Sequence, residues 1–269
     1  MRFAKYHGLG NDFLLFDEKD GVTPAEFTSE RVRSLCHRQT GVGADGILLR
    51  TKSDKATHKM WLWNADGSSA EISGNGLRCF VLFLEDRGYE VAKEFEVETG
   101  GGVLKARSVG DHVIETTMPV PNFARSGAPE MLKLTSLDQT FDVLSVNVGN
   151  PHGVIFGEQR DIPFAEKYGP SLEKNPAFPQ GANIEFVNVM SKDSCNLVVW
   201  ERGAGITLAC GSGSVATACA GCALGHFEFD KAIAVHQPGG ALHITVAREF
   251  REIRQRSIAE RVFEGVALG

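Results

Sequence analysis

The sequence predicts an α+β protein built from two pseudo-symmetric domains of like design. Three observations predict it. A set of short motifs occurs twice in the same order, strand-like runs outnumber helical ones, and each half carries a Gly-rich loop leading from a strand that ends in tryptophan into a helical run. Gly10-Asn11 returns as Gly149-Asn150, 139 residues later, and Gly43-Ala44-Asp45 returns as Gly181-Ala182-Asn183, 138 later. Trp63, followed ten residues on by Ser73-Gly74-Asn75-Gly76, returns as Trp200, followed ten on by Cys210-Gly211-Ser212-Gly213, an offset of 137. Any one match could arise by chance. Three in order, with a drift of one residue per step, point to an internal repeat. The expected halves are 1–117, joined by the C-terminal segment 258–269, and 118–257.

In chain order, Phe13 to Phe16 is a strand-like run behind a Gly-rich turn, and Ser29 to Arg38 reads as a helix capped at Ser29 with Glu30 just inside. Gly46 to Arg50 and Met60 to Trp63 read as strands from their β-branched and aromatic content. Gly76 to Arg87 follows the first Gly motif as a helix. Glu94 to Glu98 alternates, meets the turn Gly100-Gly101-Gly102 and continues as Val103 to Ala106, a hairpin signal. Met118-Pro119-Val120-Pro121 reads as the crossover between halves. Beyond it, Val143 to Val148, Val154 to Phe156, Ile184 to Val189 and Leu197 to Trp200 read as strands, and Gly213 to Leu224 as the second post-glycine helix.

Bulk properties narrow the function classes. A net charge of -6 argues against nucleic-acid binding, where a basic stripe is expected. The local exception, Arg248 to Arg256, interleaves acids with Phe250 and Ile253 and reads as a solvated face. No run of about 18 apolar residues exists, so no transmembrane helix is expected, and the N-terminus carries no apolar signal core. The six cysteines form no dense framework, so a reducing cytoplasm is the expected setting. Cys79 and the Cys219-Ala220-Gly221-Cys222 pair are expected to pack along helices; the pair lacks the second ligand pair a zinc site would need. His7 is expected to be structural.

The chemistry lies in the two Gly motifs. Glycine after a reactive position lets a ligand approach backbone N–H groups. A helix that begins there offers unpaired donors and the positive end of its dipole, a ready carboxylate site. The same environment favours a thiolate at Cys210. Two such loops facing each other across a cleft would hold one carboxylate between helix ends and flank its α-carbon with reactive side chains. One side chain would remove the α-proton and the other deliver a proton from the opposite face, while the helix ends stabilise the developing negative charge. No cofactor is required by this scheme.

Over almost its whole length the chain resembles the diaminopimelate epimerase family. The motifs that carry the resemblance are Lys-Tyr-His-Gly-Leu-Gly-Asn-Asp-Phe at 5–13, Thr-Gly-Val-Gly-Ala-Asp-Gly at 40–46, Trp-Asn-Ala-Asp-Gly-Ser at 63–68 and Gly-Asn-Gly-Leu-Arg-Cys at 74–79. Asn-Val-Gly-Asn-Pro-His at 147–152, Gly-Ala-Asn-Ile at 181–184, Glu-Arg-Gly-Ala-Gly at 201–205 and Ala-Cys-Gly-Ser-Gly at 209–213 complete the set. The resemblance implies a mixed sheet wrapped around a central helix in each domain, with the site in the cleft between them. It also implies pyridoxal-independent epimerisation of LL- to meso-diaminopimelate, serving lysine and cell-wall precursor synthesis. By the same resemblance Cys210 is one catalytic cysteine, and Gly74-Asn75 and Gly211-Ser212 hold the reacting carboxylate. Asn11, Asn64, Asn150, Asn183 and Arg202 bind the substrate, including its distal end, and His152 and Glu201 meet the reacting ammonium. Arg202 suits a carboxylate bidentately. The expected partner is a small amino-acid substrate, with no nucleic acid and no membrane, and the expected assembly is a homodimer.

The chain departs from the family pattern at two positions. Where the family's second motif contributes a polar ligand, Gly46 stands. Where the second catalytic cysteine falls, Ser73 stands, and a hydroxyl is a far weaker acid than a thiol. Inversion is therefore expected to be impaired. Three readings of Ser73 follow: an altered Cys→Ser form, a homologue with one-cysteine chemistry such as a dehydratase or a racemase of another amino acid, or a non-catalytic amino-acid-binding relative.

Overall fold

The structure is a computed structural model that describes residues 1–123, 125–158 and 161–268. Its contacts divide the chain into two units, Met1–Thr117 with the segment from Arg256 onward, and Met118–Gln255.

In the first unit the strands are β1 (Arg2–Gly8), β2 (Asn11–Asp17), β3 (Gly46–Thr51), β4 (His58–Asn64), β5 (Phe95–Thr99), β6 (Gly102–Ser108) and β7 (Val113–Met118). Its helices are α1 (Ser29–Cys36) and α2 (Gly74–Asp86). The second unit holds β8 (Glu130–Ser136), β9 (Gln139–Asn147), β10 (Pro151–Phe156), α3 (Ile162–Glu173), β11 (Asn183–Ser191), β12 (Ser194–Glu201), the short β13 (Gly205–Ile206), α4 (Gly211–Ala223), β14 (Ala232–Gln237) and β15 (Gly240–Val246). The chain re-enters the first unit within β16 (Ile253–Ile258), and β17 (Glu260–Val266) follows.

The internal repeat is visible in the strand pairing. In the first unit β17 pairs with β1 and β1 with β2 antiparallel, β2 with β3 parallel, β3 with β4 antiparallel, β4 with β5 parallel and β5 with β6 antiparallel. In the second unit the same alternation runs from β8 through β9, β10, β11, β12 and β14 to β15. Parallel neighbours need a crossover, and in each unit helices supply both. The register also corrects one motif match. Trp63 pairs with Ile47 and Trp200 with Ile184, so Asn183 is the counterpart of Gly46 rather than of Asp45.

The two central helices have 13 residues each and are buried over nearly their whole length. An all-round apolar helix is stable only when enclosed. α2 fills the core of the first unit with Leu77, Phe80, Val81 and Leu84 against Tyr6, Leu15, Leu48 and Val97. α4 is built from Ala, Gly, Ser, Thr, Cys and one Val, so its neighbours approach closely; an added Cβ at Gly221 would lie 2.2 Å from the Phe227 ring. Cys79, Cys219 and Cys222 are buried in these helices as expected, and all six cysteines are free.

Several elements differ from the sequence expectation. α2 and α4 start two residues earlier, at Gly74 and Gly211, because Ser73 and Cys210 act as N-caps and draw the glycines into the first turn. α1 is capped by Thr28, whose Oγ1 accepts the Arg31 N–H, so Ser29 is its first helical residue, and it ends at Cys36. α3, where no element is expected from the sequence, contains Gly169-Pro170, two residues disfavoured inside a helix. It forms because an Asp161 cap starts it and because the missing side chain at Gly169 makes room for Trp200, which a Cβ there would meet at 2.5 Å. Within Arg248 to Arg256, Phe250 and Ile253 are buried while Arg248 and Arg251 are exposed, consistent with the solvated-face reading. No helix among the described residues is long and apolar enough to cross a membrane.

Candidate active site

In the first unit, Ser73 has an extended backbone (φ -138°, ψ 119°), and its Oγ accepts the Gly76 N–H at 3.0 Å. Two residues into the helix, Asn75 Nδ2 donates to Asn11 Oδ1 at 3.2 Å, and Asn11 Nδ2 donates to Asp45 Oδ2 at 2.8 Å. Arg78 lies fully buried behind this turn. Its guanidinium donates to Asn75 Oδ1, to Gly74 O at 3.3 Å and to Ile258 O at 3.4 Å. Burial pulls its pKa down to about 10, which still leaves a cation at neutral pH behind Gly74-Asn75. Asn64 does not join this group: it is exposed and donates to Ser68 Oγ at 3.0 Å within its own loop. Gly46 is closed to any larger residue as the fold stands, since a Cβ would lie 2.6 Å from Trp63 O and 3.2 Å from the Phe13 ring.

In the second unit, Cys210 occupies the matching cap, with an extended backbone (φ -116°, ψ 111°) and Sγ accepting the Gly213 N–H at 3.4 Å. Its own N–H is held by Gln237 Oε1 at 2.7 Å, and Gln237 Nε2 donates to Ser214 Oγ at 2.8 Å. Ser212 Oγ lies 3.6 Å from Cys210 Sγ and accepts from Asn150 Nδ2 at 3.3 Å. Asn150 Oδ1 is 2.9 Å from His152 Nε2, and His152 Nδ1 is 2.6 Å from Glu185 Oε1. Asn183 accepts the Arg202 N–H at 2.9 Å. The Arg202 guanidinium is exposed, donates to Gln180 O at 3.1 Å, and has no carboxylate partner among the described residues. Glu201 accepts from Thr207 Oγ1 at 2.5 Å. The unit thus gathers Asn150, His152, Cys210 and Ser212 into one connected group and Asn183 with Arg202 into another.

The charges set the acidity. Burial first, then the negative charges of Glu201 and Glu185, hold the Cys210 thiol well above the ordinary thiol range, while the Gly213 N–H and Ser212 act the other way. Burial, reinforced by the Glu185 charge, raises Glu201 above the usual carboxylate value, against the hydrogen bonds from Thr207 and Cys210 and the influence of His152. Cys210 is therefore held toward the thiol, and loss of the Glu201 charge would act toward the thiolate. Replacing the carboxylate, Glu201→Gln, is expected to lower the pH midpoint of Cys210 alkylation by iodoacetamide, read by peptide mass spectrometry. An unchanged or higher midpoint would refute this account of the thiol.

Gly213 is fixed by the same crowding. An added Cβ would lie 2.9 Å from Glu185 Oε1 and 3.3 Å from Cys210 Sγ. Gly213→Ala is expected to destabilise the fold by about 1–3 kcal/mol, as overpacking does, measured by urea unfolding.

Arg78, Glu185, Thr207 and Gln237 are structural participants that the sequence reading did not single out. A signal existed for two of them: Arg78 interrupts an apolar helix, and Glu185 stands inside the apolar strand segment Ile184 to Val187.

The diaminopimelate epimerase family model matches residues 3–121 and 144–260. A protein named diaminopimelate epimerase from Desulfitobacterium hafniense is 39% identical over 282 residues, covering 100% of this chain and 98% of its own. One of the same name from Nostoc punctiforme is also 39% identical, covering 98% of this chain and 99% of its own. Among solved structures, a phenazine biosynthesis protein of the PhzF family from Bacillus anthracis superposes with a TM-score of 0.73 at 16% identity, covering 98% of both chains. A hydroxyproline epimerase from Agrobacterium vitis superposes with a TM-score of 0.70 at 14% identity, covering 100% of this chain and 91% of its own. At such identities the structural likeness concerns the fold alone.

Proposed function

Since the chain belongs to the diaminopimelate epimerase family, we propose that it is an isomerase that inverts one α-carbon of LL-2,6-diaminopimelate to give the meso form, with no pyridoxal, by proton transfer on opposite faces of that carbon. The observation that carries the reading is the pair of equivalent helix caps: Ser73 and Cys210 stand before helices of equal length, in the same extended conformation, each accepting the N–H three residues on.

Each residue then has a physical task. The first N–H groups of a helix have no carbonyl partner within it, so Gly74-Asn75 and Gly211-Ser212 bind the reacting carboxylate and stabilise the charge that develops when the α-proton leaves. The buried Arg78 cation adds to that stabilisation through Asn75. Glu201 meets the substrate ammonium with His152 nearby. The ammonium offsets the Glu201 charge, which after burial contributes most to the raised thiol, and so moves Cys210 toward the thiolate when substrate is bound. Asn11, Asn64, Asn150 and Asn183 read the polar substrate, and Arg202 takes the distal carboxylate.

Calorimetric titration with a panel of amino acids tests the substrate. Diaminopimelate is expected to bind best, and Arg202→Ala to weaken it about 10- to 100-fold, the scale of a lost charge-assisted hydrogen bond, while leaving proline binding unchanged. Tighter binding of proline or hydroxyproline would instead favour a racemase of cyclic amino acids. Ser73 itself favours a second reading, a non-catalytic amino-acid-binding relative, which binds diaminopimelate without ever exchanging its α-proton. The proposed setting is the cytoplasm, supported by six free, buried cysteines. The proposed assembly is a homodimer, for which the exposed apolar side chains Val262 and Phe263, neighbours at the bulge of β17, offer a surface.

A further inference from the structure

Glu185 is fully buried on β11, its Oε2 has no hydrogen-bond partner, and its Oε1 meets only His152 Nδ1. A buried carboxylate with half its acceptor capacity unused is costly, and the repeat shows that the fold does not need it. At the equivalent register of the first unit, His152 and Glu185 are replaced by Phe13 and Leu48, both buried. The same backbone frame is thus packed with hydrocarbon in one unit and with an ionisable pair in the unit that carries the thiol.

From this pair a directed chain of hydrogen bonds runs to sulfur. The acceptor facing His152 Nε2 is the Asn150 amide oxygen at 2.9 Å, and an amide oxygen only accepts, so Nε2 carries a proton. Glu185 Oε1 closes on the other ring nitrogen, Nδ1, at 2.6 Å, so the ring is held at both ends, and with Nε2 protonated one further proton lies between Oε1 and Nδ1. With its oxygen engaged, the Asn150 amide turns Nδ2 toward Ser212 Oγ, at 3.3 Å. Ser212 Oγ accepts that hydrogen, so its own O–H is left to point at Cys210 Sγ, 3.6 Å away. Were Nε2 bare, the Asn150 amide would turn over, Ser212 would donate to its oxygen, and the hydroxyl proton would leave the sulfur. We propose that Glu185 is a positioning residue which, through His152, Asn150 and Ser212, aims a hydroxyl proton at the Cys210 sulfur and so favours its thiolate. The inference rests on Cys210 being an acid/base of the proposed reaction. Glu201 also meets this sulfur, accepting a hydrogen bond from Cys210, and its charge, like that of Glu185, opposes the thiolate, whereas the aimed hydroxyl acts the other way.

Two replacements of similar shape separate aiming from packing. Glu185→Gln can donate its amide to Nδ1 and leave its oxygen where Oε2 now sits, which keeps the proton on Nε2. Glu185→Met fills the same space and can hold neither nitrogen of the ring. The readout is the pH profile of Cys210 alkylation by iodoacetamide in the full chain, resolved by peptide mass spectrometry, which needs no turnover. Both replacements remove the Glu185 charge that opposes the thiolate, so the Gln form is expected to react at least as fast as the parent and is the reference for the Met form. Relative to the Gln form, the Met form is expected to lose about tenfold near neutral pH, a midpoint higher by about one unit. That loss should disappear when Ser212→Ala is added, because the two changes act through one path. Equal rates in the Gln and Met forms, or a Met deficit that persists with Ser212→Ala, would overturn the proposal. Should the Met form fail to fold, nitrogen NMR of the ¹⁵N-labelled parent decides: a proton on Nε2 of His152 supports the relay, and a bare Nε2 overturns it. Failure of the epimerase reading appears separately, as alkylation that follows these expectations in a protein that never exchanges the α-proton of diaminopimelate.

Discussion

Ser73→Cys is expected to raise the rate of LL- to meso-diaminopimelate interconversion by about 10²- to 10⁴-fold, the usual contribution of one competent acid/base group. The geometry for the exchange of oxygen for sulfur is already present. Ser73 Oγ and Cys210 Sγ cap helices of the same length, and the added Cβ at Gly76 would lie 3.3 Å from Ser73 Oγ, as the one at Gly213 would from Cys210 Sγ. A thiol introduced at this position therefore finds the cap, the glycine and the helix end that Cys210 already uses. What changes is acidity: a free thiol ionises near pH 8.5, whereas the serine hydroxyl is scarcely ionised near neutrality, so the present chain lacks a base on one face. Chiral chromatography with mass-spectrometric detection of the reaction in deuterated water checks both inversion and α-deuterium uptake. Absence of uptake in the Ser73→Cys form with substrate bound would favour the binding-only reading. Turnover of the unaltered chain at an ordinary rate of about 10 per second would refute the account of Ser73.

Cys210→Ala is expected to abolish what exchange remains, a fall of at least about 10²-fold in either background, with the fold intact by circular dichroism. In the unaltered chain Cys210 is the one thiol at these two caps, so residual exchange should occur on a single face, with retention of configuration. Its pH dependence has a definite sign. Burial and the charges of Glu201 and Glu185 raise the thiol pKa, so the thiolate fraction, and with it base-catalysed exchange, increases as the pH rises. Stability moves the other way. An unfolded Cys210 ionises near the ordinary thiol value while the folded one does not. The unfolded state is therefore favoured as pH rises from the ordinary value toward the folded one, and Cys210→Ala removes this alkaline loss. Exchange that persists in Cys210→Ala, or that falls with rising pH, would remove Cys210 from the reaction.

Sequence reading was most complete where a signal is local. The Gly100-Gly101 hairpin, the strand ending in Trp63 and the burial of Cys79, Cys219 and Cys222 follow from turn chemistry and patterning over a few residues. It was least complete where a distant residue decides. α3 carries Gly169-Pro170, and only the presence of Trp200 on β12 explains why a helix tolerates that glycine. The Asp45–Asn183 match is closer in spelling than Gly46–Asn183, but hydrogen-bond register across the neighbouring strands makes Gly46 the counterpart.

By itself the sequence determined the duplicated design, the pair of glycine-led helix starts, and the unlike side chains, hydroxyl and thiol, set before them. These depend on caps, glycines and apolar spacing, whose forces act within a turn or two of chain. Only the tertiary structure decided which buried polar groups meet: Arg78 behind Asn75 in one unit, and Glu185 behind His152, Asn150 and Ser212 in the other. The reason is that a charge can be buried only where partners from other elements come within hydrogen-bonding distance, and no local pattern specifies those partners.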